Sequence, residues 1–175
     1  MRIIAVPGIW YFSRRYAGLE KRLKDAFLEQ FPGATFTMKY LWYHPWQGGK
    51  MRQFEEDLVA EFDIGGDVIL VGYSMGGVIA CAVAPRFKKS NIRGVITIYT
   101  PHRYLWGFFS RMLGSGELNG IPVASFAAKV DVMVPCGARH PQAVAHTRLW
   151  SDHLYALLWS SKPAKAFAAA AKKYF

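Results

Sequence analysis

Residues 67–73, Asp-Val-Ile-Leu-Val-Gly-Tyr, and residues 92–100, Ile-Arg-Gly-Val-Ile-Thr-Ile-Tyr-Thr, are short runs made mostly of apolar and β-branched residues. Neither alternates polar with apolar, so each reads as a strand covered on both faces, the condition of an inner strand of a parallel sheet. Parallel neighbours cannot be joined by a tight turn. They need a crossover, and residues 75–87 supply one as an apolar helix ended near Pro85. The same alternation runs through the chain. Strands are expected at 2–6, 34–43 and 121–128, and helices at 16–31, 49–62, 104–113, 151–160 and 163–175. Leu19, Leu23, Ala26 and Phe27 share one face of the first helix, and Phe54, Leu58 and Phe62 share one face of the second. Strands alternating with helices imply right-handed crossovers and an α/β fold: a mostly parallel central sheet of about five or six strands, with helices on both faces.

At 175 residues the chain has the length of one domain, 1–175, and shows no repeat or low-complexity tract. Hydrophobic residues make up 52% and charged residues 19%, which excludes a disordered chain. No apolar run reaches the roughly 18 residues of a spanning helix, so no transmembrane segment is expected. The opening Met-Arg-Ile-Ile-Ala-Val is interrupted by Pro7-Gly8 and lacks a small-residue cleavage site. It reads as a strand and its turn rather than a signal peptide, and a cytoplasmic protein is expected. Two cysteines, Cys81 and Cys136, do not make a disulfide scaffold, and Cys81 is expected to be a buried free thiol. The net charge of +10 comes from scattered basic residues with no interleaved aromatic stripe. That argues against nucleic acid as a partner and leaves room for weak contact with anionic surfaces.

Gly72-Tyr73-Ser74-Met75-Gly76 stands between the strand 67–73 and the helix 75–87. In parallel sheets, chemistry gathers at the carboxyl ends of the strands. Gly-x-Ser-x-Gly at a strand-to-helix junction is a nucleophile elbow: the serine takes a strained backbone conformation, and side chains at either glycine would collide with neighbouring elements. The helix begins at once, so its first amides face any anion that forms there.

A serine hydroxyl needs a base, and the base needs an orienting acid, in the chain order Ser, Asp or Glu, His. Downstream of Ser74 lie His102, His140, His146 and His153, and between Ser74 and His153 the only acids are Glu117, Asp131 and Asp152. Asp131 follows the strand ending near 128 and is the expected acid. Glu117 falls in a glycine-rich loop, and Asp152 adjoins His153, where neighbouring side chains rarely face each other. His153, after the last acid and at a loop-to-helix junction, is the expected base. His140 and His146 read as loop residues, and His102 either packs at a strand end or touches substrate. The oxyanion needs two N–H donors. Met75 follows the nucleophile, and the turn after the first strand supplies the other: Pro7 has no N–H, Gly8 permits close approach, and Ile9 is the expected donor. No histidine pair has helical metal-site spacing, so no catalytic metal is expected.

Val-Pro-Gly-Ile-Trp at 6–10, Gly-Tyr-Ser-Met-Gly-Gly at 72–77, Tyr-Thr-Pro-His-Arg at 99–103, Lys-Val-Asp-Val-Met-Val-Pro at 129–135 and Ser-Asp-His-Leu-Tyr at 151–155, in that order, resemble the α/β-hydrolase superfamily. Within it the chain is similar to the small, lidless bacterial lipases and esterases of the Bacillus type. Pro7-Gly8 stands where that group usually has His-Gly, and Trp10 and Tyr11 stand where it often has small residues. The resemblance implies a minimal α/β-hydrolase fold and cleavage of small-molecule or lipid carboxylic esters through Ser74, His153 and Asp131, without cofactor. Only residues 101–120 separate two strands after the elbow, too few for a large lid. Trp106, with Trp10, Tyr11 and His102, is the expected substrate contact. The same triad would cleave a thioester or an amide, and a non-catalytic binding protein on this fold is the less favoured alternative.

Overall fold

A computed structural model of the chain describes residues 1–8, 17–42, 47–102, 118–134, 139–152 and 160–175. Six strands make one sheet: β1 (Arg2–Val6), β2 (Thr35–Met38), β3 (Gly66–Tyr73), β4 (Ser90–Ile98), β5 (Val123–Ala128) and β6 (Ala143–Leu149). Their spatial order is β2-β1-β3-β4-β5-β6, and every neighbouring pair is parallel. From β1 the chain moves outward to β2, then crosses back over β1 to β3. The carboxyl ends of β1 and β3 therefore flank the point where the winding reverses, which is where such sheets open a crevice.

Among the described residues, four α-helices cover the sheet: α1 (Ala17–Gln30), α2 (Gly48–Phe62), α3 (Met75–Val83) and α4 (Lys162–Tyr174). Successive residues of each inner strand enter opposite cores. Ile4, Val6, Val68, Leu70 and Val95 pack with Phe54 and Leu58 of α2 and Ile79 of α3. Ile3, Ala5, Ile69, Val71, Ile96 and Ile98 pack with Leu23 and Phe27 of α1 and Phe167 of α4. This is why β3 and β4 carry unbroken apolar runs: every residue of 68–73 and of 94–98 is buried on one side or the other. The mostly parallel sheet with helices on both faces is the expected α/β fold.

Two elements differ from expectation. β2 is only four residues long, Thr35–Met38, and its burial alternates weakly, as suits an outer strand. β6 has no counterpart among the strands expected from sequence. Its sequence, Ala-Val-Ala-His-Thr-Arg-Leu, is partly or fully exposed along its whole length, so it carries no apolar run to mark it as a strand. His146 thus lies on a strand and not in a loop. After α3 the chain tightens into a 3-10 turn, Ala84–Arg86, at Pro85. Cys81 is a buried free thiol on α3, and burial pushes it up to about 12, so it packs rather than reacts. The helix expected at 104–113 lies outside the described residues, as does 153–159; Ser151 and Asp152 are not helical. Among the described residues, no helix is long and apolar enough to cross a membrane.

Among the described residues, Glu55 on α2 is the one acid deep in the packing between α2 and the end of α3. It is 2% exposed. Its Oε2 accepts from Arg86 Nη1 at 2.9 Å, while Oε1 has no hydrogen-bond partner among the described residues. Burial pushes its carboxyl up to about 7 from 4.5, against the pull of Arg86 and Arg52. The folded state therefore holds a proton that the unfolded chain releases near 4.5. The associated stability is complete below that value and is lost as pH rises through about 7. Glu55→Gln keeps the shape of the protonated acid and removes the titration. Urea denaturation at pH 5 and pH 8 should show wild type losing on the order of 2 kcal/mol against Glu55→Gln over that interval.

Candidate active site

The elbow is assembled by missing side chains. Ser74 sits between β3 and α3 with φ 52° and ψ −126°, a backbone conformation that L side chains rarely adopt. A Cβ on Gly72 would lie 2.2 Å from the Gly77 Cα, so only glycine lets the helix turn back on the strand. A Cβ on Gly76 would lie 2.0 Å from the Val6 carbonyl oxygen and 2.3 Å from that of Pro7. A Cβ on Gly77 would lie 1.9 Å from Thr100 Oγ1. The first turn of α3 is thereby pressed against the carboxyl ends of both β1 and β4. The Ser74 N–H donates to the Ile98 carbonyl at 2.8 Å, tying the elbow to β4, and the Gly77 N–H donates to the Ser74 carbonyl at 3.0 Å.

Gly8 completes this corner. A Cβ there would meet the Ser74 Cβ at 2.8 Å and its Oγ at 3.4 Å, so the backbone of the turn after β1 passes directly beside the serine hydroxyl. Met75 is the first residue of α3, and its N–H is one of the helix-start donors that the helix cannot itself satisfy. Ile9, Trp10, Tyr11 and Trp106 lie outside the described residues.

Asp131 stands just beyond β5 and is 6% exposed. Its Oδ1 accepts the N–H of Met133 at 3.0 Å and of Val134 at 2.7 Å, which turns the loop around the carboxylate and fixes its direction. Past β5 and β6 the two segments remain paired: the Lys129 N–H donates to the Leu149 carbonyl at 2.8 Å and the Val130 N–H to the Ser151 carbonyl at 3.2 Å. The residue before Asp131 is thus bonded to a residue two positions before His153. His153 itself is outside the described residues.

Tyr99 links these loops to β4. It has φ 49°, a left-handed conformation at the strand end, and is fully buried, edge-on to Tyr73 and Phe167. Its hydroxyl hydrogen-bonds the Ser151 hydroxyl. Burial, with the negative charges of Asp131 and Asp152 nearby, pushes Tyr99 up to about 12, so it remains a neutral phenol. Neither Tyr99 nor Ser151 could be singled out from sequence, because a positive φ at tyrosine leaves no compositional mark. Gly77 did have a signal, the second glycine of a Gly-Gly pair.

His102 is 1% exposed, and its ring stands at 89° to that of His140, with 4.8 Å between centroids. Burial, then the neighbouring His140 and His146, lowers His102 to about 3, and burial lowers His140 to about 4. Both are neutral imidazoles near pH 7 and weak bases. The His140 Nδ1 accepts the Gln142 N–H at 3.1 Å, which leaves the ring proton on Nε2. Of the two roles open to His102, its burial corresponds to packing at the strand end. No group of three or more His, Cys, Asp or Glu side chains suited to a metal occurs among the described residues.

Comparison with known proteins agrees with this layout. The model of the alpha/beta hydrolase family matches residues 3–174. A protein from Xanthomonas campestris described as a hydrolase of the alpha/beta superfamily superposes with a TM-score of 0.64 at 18% identity, covering 98% of each chain. An esterase from Pyrobaculum calidifontis gives 0.64 at 14% identity, covering 98% of this chain and 76% of that one. The type II thioesterase of a borrelidin biosynthetic cluster gives 0.59 at 15%, covering 98% and 92%. A search of curated proteins finds no match. The similarity to solved structures is one of fold.

The strain at Ser74 can be measured without any assay of turnover. In ordinary positions glycine is less stabilising than alanine. At φ 52° the order should invert, with Ser74→Gly more stable than Ser74→Ala by on the order of 1 kcal/mol in chemical denaturation. The usual order, alanine above glycine, would show that this backbone is not strained.

Proposed function

Because the chain belongs to the alpha/beta hydrolase family, we propose that it is a serine hydrolase of carboxylic esters with Ser74 as nucleophile, His153 as general base and Asp131 as the acid that orients it. The observation that carries this reading is the strained backbone of Ser74 with Gly8 beside its hydroxyl, at the reversal point of the sheet. Strain of this kind costs on the order of 1–3 kcal/mol and persists where function requires it.

In the proposed reaction His153 takes the Ser74 proton as Oγ attacks the ester carbonyl. The carbonyl oxygen becomes an oxyanion, held by the N–H groups of Met75 and Ile9. The tetrahedral adduct collapses, the C–O bond to the alcohol breaks, and His153 gives its proton to the departing oxygen. Water then attacks the acyl-Ser74 ester, again losing a proton to His153, and the acid leaves as Ser74 is restored. The buried Asp131, with its loop wrapped around it, is the fixed negative charge that stabilises the imidazolium in both halves.

Thioester cleavage by the same groups is the second reading, favoured by the thioesterase among the superposed structures. Hydrolysis of p-nitrophenyl esters from acetate to palmitate should be lost in Ser74→Ala by about 10⁴-fold or more. Equal rates in both proteins would sink the Ser74 mechanism. Matched thioesters and oxygen esters in the same assay distinguish the two readings. Tyr99 acts here as a positioning residue. Tyr99→Phe releases Ser151 and should lower kcat about tenfold with KM little changed, and Ser151→Ala should add little to it. A change confined to stability, about 1 kcal/mol, would make the contact structural only.

A further inference from the structure

The loop around Asp131 is turned inside out. The carboxylate is buried at 6%, while its apolar neighbours face solvent: Val130 at 57%, Val132 at 88% and Met133 at 57% exposed. Trp150, at 82%, stands beside them, because the backbone bonds from Lys129 to Leu149 and from Val130 to Ser151 hold the two segments side by side. Lys129 lies over the Trp150 ring, its Nζ 4.2 Å from the centroid. The result is one exposed apolar strip. Single exposed apolar residues are ordinary on a protein surface, but four gathered on one rim mark a surface that meets something.

The charge around the strip says what it meets. Lys129 and Arg148 are exposed, the first lying over the Trp150 ring and the second two residues before it in sequence, whereas Asp131 is buried and Asp152 is half-buried. The outward charge is therefore cationic, on a chain of net charge +10. Aliphatic and tryptophan side chains bordered by lysine and arginine fit the boundary between acyl chains and anionic headgroups. Basic residues near such a surface are drawn to its negative potential. We propose that this strip, residues 129–133 with Trp150, is a docking surface for an anionic lipid bilayer, by which the carboxyl-end crevice is set down on its substrate. The proposal deepens the ester-hydrolase reading and rests on it for its purpose. The binding itself needs no turnover, so either can fail alone.

The test uses the full chain as Ser74→Ala, which removes hydrolysis, in flotation with vesicles of phosphatidylcholine alone and of phosphatidylcholine mixed with phosphatidylglycerol. Binding is expected to the mixed vesicles, to weaken as salt is raised, and to drop at least about tenfold when Val132→Ser and Trp150→Ser are introduced together. Both positions are so exposed that the circular dichroism of the variant should not change, and in the Ser74 background neither substitution should alter hydrolysis of soluble p-nitrophenyl acetate. Equal binding to both vesicle types, or equal binding by the variant, would overturn the proposal. So would a wild type that sediments as a dimer, ignores vesicles and becomes monomeric in the variant, which would assign the strip to a second copy of the chain.

Discussion

The contact on which this architecture turns is the approach of the first turn of α3 to the ends of β1 and β4. It is a contact between backbones. The Val6 and Pro7 carbonyls meet Gly76 where no Cβ can stand, and Thr100 fills the corresponding space at Gly77. Helices usually ride on a sheet at the distance set by their side chains. Here the helix is drawn in until it touches the strand ends, and the price is Ser74 held in a conformation that favours glycine. The same closeness brings Gly8 against the serine. Strain and close approach at the winding reversal are one arrangement, with one cause in glycine placement.

The reach of sequence reasoning follows from this. β3, β4, α3 and the elbow were readable because each leaves a compositional trace: double-sided burial gives unbroken apolar runs, and close packing gives glycine. Asp131 is singled out by elimination, since so few acids follow Ser74; the structure places it, buried, just past β5, and its pairing with His153 belongs to the proposed mechanism. β6 was not readable. A strand that lies at the edge of a sheet is half-solvated, so Ala, His, Thr and Arg serve in it as well as valine would. Tyr99 was not readable either, because its importance lies in a positive φ and in a hydroxyl whose partner is 52 residues away. The positions of Ile9 and His153 fall outside the described residues, and their proposed roles rest on chain order and on their described neighbours.

The electrostatics separate two regions of the same sheet end. His102 is kept neutral by burial and then by His140 and His146, and His140 by burial, where the two rings meet between β4 and the segment leading to β6. Asp131 is buried too, but its loop supplies two N–H donors to one oxygen, so its charge is met by the backbone. The distinction is one of partners and not of depth: the histidines are desolvated and lose proton affinity, whereas the Asp131 carboxylate accepts two backbone N–H groups.

β6 carries a further consequence. It is the least buried of the six strands, and its pairing with β5, continued through Lys129 and Val130, holds Ser151 and the approach to His153 in register. Amide hydrogens in such a strand exchange through local opening, with far less free energy than global unfolding requires. The segment that leads to His153 is therefore moored, as far as Ser151, to the most exposed strand, while Ser74 is anchored at the centre of the sheet. On warming, catalytic competence should depart while the spectroscopic fold is still intact.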